Sequence, residues 1–338
     1  MASSDPVSVR RLRVMAKVGD AASGALRTAL RPTRTLGFPY RRPTVPHGVA
    51  VPAEPERLGA HYATDWARRS PARAARRMIL AGPMRMLVRA VASPEIVGAD
   101  RLADLVDADP PVALIFAPNH HSHIDTPLAL TSLPRPWRSK VAVAAAADYF
   151  FDTRIKAALA ALALNAVPIE REVTSRSSSD SLRRLLDTGW SVVIYPEGGR
   201  SPDGWGQDFK GGAAYLSGRT GAPVVPMFID GTGPIYGKGM KRPKPGRTTV
   251  VFGAPMIAED GENTRRFNAR IEAAVAQLGD EALSDAWTAR RRAATGTSTR
   301  LTGPDHQGWR RQWALAERRK LGRAGQRLRQ RRRWPDLG

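Results

Sequence analysis

The chain contains no cysteine, which excludes disulfides, thiolate metal sites and a cysteine nucleophile. It also lacks long apolar runs: nothing approaches the ~20 residues that a membrane-spanning helix needs. The nearest candidates, residues 141–147 and 157–167, are short and alanine-rich. Arg10, Arg11, Arg13 and Lys17 are followed by no apolar core of secretory length, so no signal peptide is expected. A chain of this kind that meets a bilayer should lie on it. Acidic residues are scarce as well: 31 Asp and Glu stand against 53 Lys and Arg, a formal net charge of +22. That excess says little about fold but points to an anionic partner, which can be nucleic acid, an acidic membrane surface or an acidic substrate.

What is present is enough for a core, with 42% of the 338 residues hydrophobic. The composition divides the chain into four parts. Residues 1–50, rich in Pro, Gly, Ser and Arg, read as a flexible basic segment with one short helix over 11–30. Residues 51–95 read as an amphipathic helical segment that Pro71 and Pro83 break into pieces. Residues 96–285 carry short apolar runs alternating with helical patterns: strands near 112–117, 141–145, 167–169, 190–195, 224–229 and 248–252, and helices over 152–164, 177–188, 209–220 and 265–278. Strands alternating with helices predict an α/β domain, a sheet flanked by helices. Residues 286–338 hold fifteen Lys or Arg against three Asp or Glu, interleaved with Trp287, Trp309, Trp313 and Trp334. They read as a basic appendage outside the core.

Two segments carry chemistry. Residues 117–127, APNHHSHIDTP, follow a buried strand, and sites in α/β folds collect at the carboxyl ends of strands. Three histidines and an aspartate so close together can be a metal site, a general base with an orienting carboxylate, or a polar turn without chemistry. No second ligand cluster appears in the sequence. Residues 195–201, YPEGGRS, close another strand, and such a turn can offer backbone N–H groups and a guanidinium to an anion.

Taken together, the segments resemble the glycerolipid acyltransferase family. Asn119-His120-x-Ser122-x-x-Asp125 is similar to its NHxSxxD block, and Tyr195 to Ser201 to its FPEGTRS block. Val167-Pro168-Ile169-Glu170-Arg171 resembles the block between them, and Phe209-Lys210-Gly211-Gly212 and Val224-Val225-Pro226 the later ones. The resemblance covers about residues 75–260. Tyr195 stands where the family has Phe, Gly199 where it has Thr, and the region after Asn165 lacks the glycine that often precedes the family's Arg.

The resemblance implies a glycerol-3-phosphate acyltransferase-like mixed sheet, with the helical segment before it and the basic extension after it. It implies His120 as general base and Asp125 as its orienting carboxylate. Asn119, Ser122, Arg171, Glu197, Gly198, Gly199, Arg200, Lys210 and Pro226 would bind substrate, with Arg171 and Arg200 on a phosphate. No metal and no cofactor are implied, only acyl-CoA or an acyl carrier protein as co-substrate. The acceptor would be a lysophospholipid, 1-acylglycerol-3-phosphate first, with another lysolipid or a glycolipid as the alternative. The expected place is cytoplasmic, peripheral on the anionic inner face of the cell membrane. A nucleic-acid-binding protein acting through the basic tail is the competing reading, although no nucleic-acid fold signature accompanies it.

Overall fold

The computed structural model describes residues 62–106, 108, 111–170, 176–305 and 308–331. The segment 1–50 and the helix expected over 11–30 lie outside these residues, and so does Arg171. Two helices come first, α1 (Ser70–Ala81) and α2 (Pro83–Ala92). Pro71 and Pro83 lie in their first turns, where a missing N–H costs nothing, so the two expected breaks are helix starts.

Seven strands follow: β1 (Pro94–Val97), β2 (Ile115–Pro118), β3 (Val141–Ala146), β4 (Ala166–Ile169), β5 (Ser191–Val193), β6 (Val224–Asp230) and β7 (Thr248–Phe252). They form one sheet in the order β1-β7-β6-β2-β5-β3-β4. All neighbours are parallel except β6 and β7, which run antiparallel, so the sheet is mixed. The helices between and after the strands are α3 (Asp125–Ser132), α4 (Arg154–Leu164), α5 (Arg176–Asp187), α6 (Gly212–Thr220), α7 (Thr264–Leu283), α8 (Ala286–Ala294) and α9 (Trp309–Arg331).

The central strands are apolar without a break because both faces are covered. Ile115, Ala142, Val192, Val224 and Val251 point to one core, shared with Leu182, Leu186, Leu216, Phe267 and Ile271. Their chain neighbours Phe116, Val143, Val193, Val225 and Phe252 point to the other, shared with Leu80, Val88, Leu128 and Trp137. Helix α7 places Phe267, Ile271, Val275 and Leu278 on one buried stripe, each side chain contributing roughly 1.5–3 kcal/mol. Asn165 ends α4 in the left-handed conformation, and its Nδ2 donates to the Val141 carbonyl at 2.8 Å. Asparagine tolerates that cap position where glycine is commoner.

The basic C-terminal segment is not a free appendage over its described part. Helix α9 packs on α7 and buries Leu315. Arg311 pairs with Asp203 at 2.5 Å, and Trp205 Nε1 donates to the Arg311 carbonyl at 3.2 Å. The guanidinium of Arg318 lies 5.2 Å from the Trp205 ring and 5.6 Å from that of Phe228.

Candidate active site

β2, β5 and β3 lie side by side and parallel, so the loops after them open on one edge of the sheet. His120 leaves β2 two residues past its end, and Asp125 opens α3. His120 Nδ1 lies 2.9 Å from Asp125 Oδ2. The same oxygen accepts the backbone N–H groups of His121 and Ser122, each at 2.7 Å. Asp125 is fully buried. Burial pushes its carboxyl upward, but the His120 bond and charge outweigh it and hold the group below its usual range. A first-turn carboxylate is also favoured by the helix dipole. Asp125 thus stays ionised and fixes the imidazole, leaving Nε2 of His120 free of that bond.

Glu197 ties the second segment to the first. Its Oε1 accepts the His120 N–H at 2.8 Å and its Oε2 the Gln207 N–H at 2.9 Å. Ser201 N–H returns to the His120 carbonyl at 2.9 Å. Burial pushes the Glu197 carboxyl up to about 8, against the pull of the two backbone donors. Tyr195 stacks on the His120 ring with centroids 4.1 Å apart, and its hydroxyl lies 2.9 Å from Thr126 Oγ1. The tyrosine keeps the aromatic wall that the sequence led us to expect and adds a bond that phenylalanine would lack.

A cavity of about 420 Å³ opens at this edge. Its lining combines apolar side chains, Val143, Ala145, Leu164, Ile169, Leu182 and Leu216, with His120, His123, Glu170, Arg200, Lys210 and the Gly198–Gly199 turn. Gly198 has φ of 69°, and a β-carbon there would stand 2.8 Å from Lys210 Nζ, so the ammonium rests on a turn only glycine allows. Gly199 is different: a β-carbon there would meet nothing nearer than Gln207 Nε2 at 3.9 Å. That glycine leaves cavity space open. Arg200 reaches His123 through Nη1 and lies 5.5 Å from the Tyr149 ring. Burial first, then the Arg200 charge, lowers His123 below its ordinary value.

Of the residues expected at the substrate, Gly198, Gly199, Arg200 and Lys210 line this cavity beside His120. Asn119, Ser122, Glu197 and Pro226 are not among its lining residues. Asn119 spends its whole amide on Ile229, donating to its carbonyl at 3.0 Å and accepting its N–H at 2.6 Å. Ser122 Oγ donates to the Tyr236 carbonyl at 2.7 Å. Pro226 lies within β6 opposite Ala117, and its carbonyl takes the Gly253 N–H at 2.8 Å. In all four, these polar atoms bond to other protein groups. His123, Thr126, Tyr149 and Tyr215 line the cavity without having been expected there. Only His123 carried a signal, as a titratable neighbour of the base. Among the described residues no group of three His, Cys, Asp or Glu side chains could hold a metal ion, and no helix is long and apolar enough to cross a membrane.

Residues 104–230 match the Acyltransferase family. The 1-acyl-sn-glycerol-3-phosphate acyltransferase BAT2 of Brassica napus is 35% identical over 143 residues, 41% of this chain and 38% of that protein. The enzyme of the same name LPAT1 from Arabidopsis thaliana is 34% identical over 148 residues, 42% of this chain and 38% of that one. The matched part thus spans 38% of the length of these two relatives. Among solved structures, the 1-acyl-sn-glycerophosphate acyltransferase PlsC from Thermotoga maritima superposes with a TM-score of 0.48 at 22% identity, covering 61% of this chain and 80% of that one.

Proposed function

We propose, from the match of residues 104–230 to the Acyltransferase family, that the protein moves a fatty acyl group from a thioester, acyl-CoA or acyl carrier protein, to a lysophospholipid hydroxyl. The proposed acceptor is 1-acylglycerol-3-phosphate, the substrate for which its plant relatives are named. The observation that carries the reading is the His120–Asp125 pair, 2.9 Å apart, with the imidazole on a cavity lined both by apolar side chains and by Arg200 and Lys210.

In this reading His120 Nε2 takes the acceptor's hydroxyl proton as the oxygen attacks the thioester carbonyl carbon. The C–S bond then breaks, and the proton passes to the departing thiolate. General-base help of this kind is worth about 10²–10⁴-fold. Asp125 holds the tautomer and stabilises the imidazolium, as a triad aspartate does, but with no nucleophile from the enzyme. The apolar side chains of the lining would take acyl chain. Arg200 and Lys210 would take the acceptor phosphate, with Arg171 as an expected third cation.

The lipid must be met at a membrane. Met78 on α1, Met86 and Leu87 on α2, and Ile155 and Leu159 on α4 are exposed apolar side chains, and α1 packs beside α4. Helix α4 also supplies Leu164 to the cavity. With Arg77 and Arg89 exposed on α1 and α2, this surface suits peripheral docking on an anionic bilayer. Incubation with mixed lysolipids and labelled acyl-CoA, read by lipid mass spectrometry, tests both the chemistry and the acceptor.

A further inference from the structure

A second cavity, also of about 420 Å³, lies behind the catalytic loop. His121 forms part of its wall, while the adjacent His120 faces the first cavity. The rest of the wall comes from the turn after β6, the segment 244–247 and one side of α9. Its charged lining includes Lys244, Arg318 and Arg319, with the carboxylate of Asp230 among them. The geometry points to a second anion site, one that takes a phosphate-bearing small molecule.

Several features make this a built site. Gly231 has φ of 83°, and a β-carbon there would collide with the Arg247 carbonyl, so only glycine lets the 244–247 segment close against the turn. Asp230 Oδ2 faces α9 at Gly322, where a β-carbon would stand 3.2 Å away. The Arg318 guanidinium lies 5.2 Å from the Trp205 ring centroid and 5.6 Å from that of Phe228, within the field of Asp230 and Asp280. The other acids nearby are engaged: Asp280 with Arg292 at 3.4 Å and the Thr299 N–H at 3.1 Å, and Asp203 with Arg311.

Cations gathered on a concave wall repel one another and focus a positive potential into the space they enclose. An anion of two or more charges relieves that repulsion, and phosphate oxygens match the arginine fork. The volume lies within the roughly 300–1,000 Å³ of small-molecule sites, larger than inorganic phosphate needs. A diphosphate or a phosphate monoester on a larger body fits. Two sources share this chemistry, the phosphates of a nucleotide carrier and the headgroup of a phospholipid. The site also touches the catalytic machinery, because the His121 backbone donates to Asp125.

Calorimetric titration of the full chain at low salt tests the inference, with inorganic pyrophosphate as probe. Adenosine 3′,5′-bisphosphate and a short-chain lysophospholipid below its micelle concentration serve as the two source arms. Lys244 and Arg319 are solvent-facing, so Lys244→Gln with Arg319→Gln leaves the core untouched. Each lost charge-assisted bond should weaken binding about tenfold, so the double variant should lose pyrophosphate by roughly a hundredfold. Lys244→Arg should retain it, and Arg183→Gln on α5 should not matter. The tighter of the two arms identifies the natural source. Equal affinity in the wild type and the double variant overturns the inference, as does no binding at all. Loss on Arg200→Gln instead would place the anion in the first cavity and also overturn it. The titration needs no turnover, so its outcome is independent of whether acyl transfer is observed.

Discussion

The carboxylate of Glu197 accepts the backbone N–H of His120 at 2.8 Å, across 77 residues of sequence. Its other oxygen holds the Gln207 N–H. One buried side chain therefore fixes the loop of His120 to the loop of Arg200 and Lys210. The two motifs are a single mechanical unit, and Glu197 touches His120 through its backbone.

Glu197 should make stability pH-dependent. Its carboxyl is raised from 4.5 to about 8, so between those values the folded state holds a proton that the unfolded chain has released. Stability from this group is complete below 4.5 and lost as pH rises through about 8. His121 and His123 are lowered, mainly by burial, and act in the opposite sense, but equally in wild type and variant. Glu197→Gln should therefore flatten the fall of Tm over this window relative to wild type. Parallel Tm-versus-pH curves would refute the assignment.

Asn119 should behave as a structural residue. Asn119→Ala strands the N–H and the carbonyl of Ile229 in the interior, at about 1–3 kcal/mol for each unsatisfied group. Thermal denaturation should show the loss, while KM for the acceptor stays within a few-fold of wild type at a temperature where the variant is folded. A rise in KM without loss of Tm would return Asn119 to the substrate.

Arg200 lines the cavity against His123 and Tyr149. Arg200→Gln should raise KM for a phosphorylated acceptor about tenfold, the weight of one charge-assisted hydrogen bond. A neutral acceptor of the same chain length should be affected far less. Equal loss for both would mean that Arg200 only shapes the wall.

Much of this was legible in the sequence, for physical reasons. The buried strands announced themselves as apolar runs because Ile115 and Phe116, or Val192 and Val193, serve opposite cores. His120 and Asp125 were legible because their spacing is fixed by one loop. Helix α3 was not, since Asp-Thr-Pro-Leu-Ala-Leu-Thr-Ser has little helical character and forms only because it is buried. Strand β1 is a four-residue edge strand too short to show a period. The hydrogen bonds of Asn119 to Ile229, and of Glu197 to the His120 and Gln207 N–H groups, were not legible, because these partners are backbone groups that no side-chain pattern marks. The docking of α9 was hidden by its charge: one buried Leu315 and the ring-clamped Arg318 hold a helix that reads as solvated.

That docking changes how the membrane surface should be tested. Removing residues 288–338 would uncover Trp205 and Phe228 and so confound binding with unfolding. Met78→Glu with Ile155→Glu alters exposed positions only, 74% and 67% exposed. Each apolar side chain contributes roughly 1.5–3 kcal/mol when buried, so co-sedimentation with anionic vesicles should weaken more than tenfold while Tm is unchanged. Vesicle binding that survives this change, or that is replaced by filter retention of nucleic acid, would move the docking surface elsewhere.

The central claim is that His120, oriented by Asp125, activates a lysophospholipid hydroxyl toward a thioester. It is tested most directly by supplying the protein with labelled acyl-CoA and mixed lysolipids, then measuring acylated product and released CoA thiol together. The account predicts one thiol released per acyl group gained by a phosphorylated lysolipid, and a loss of about 10²–10⁴-fold in His120→Ala with Tm retained. Thiol release without acylated lipid, or a His120→Ala variant with near wild-type turnover, would contradict it.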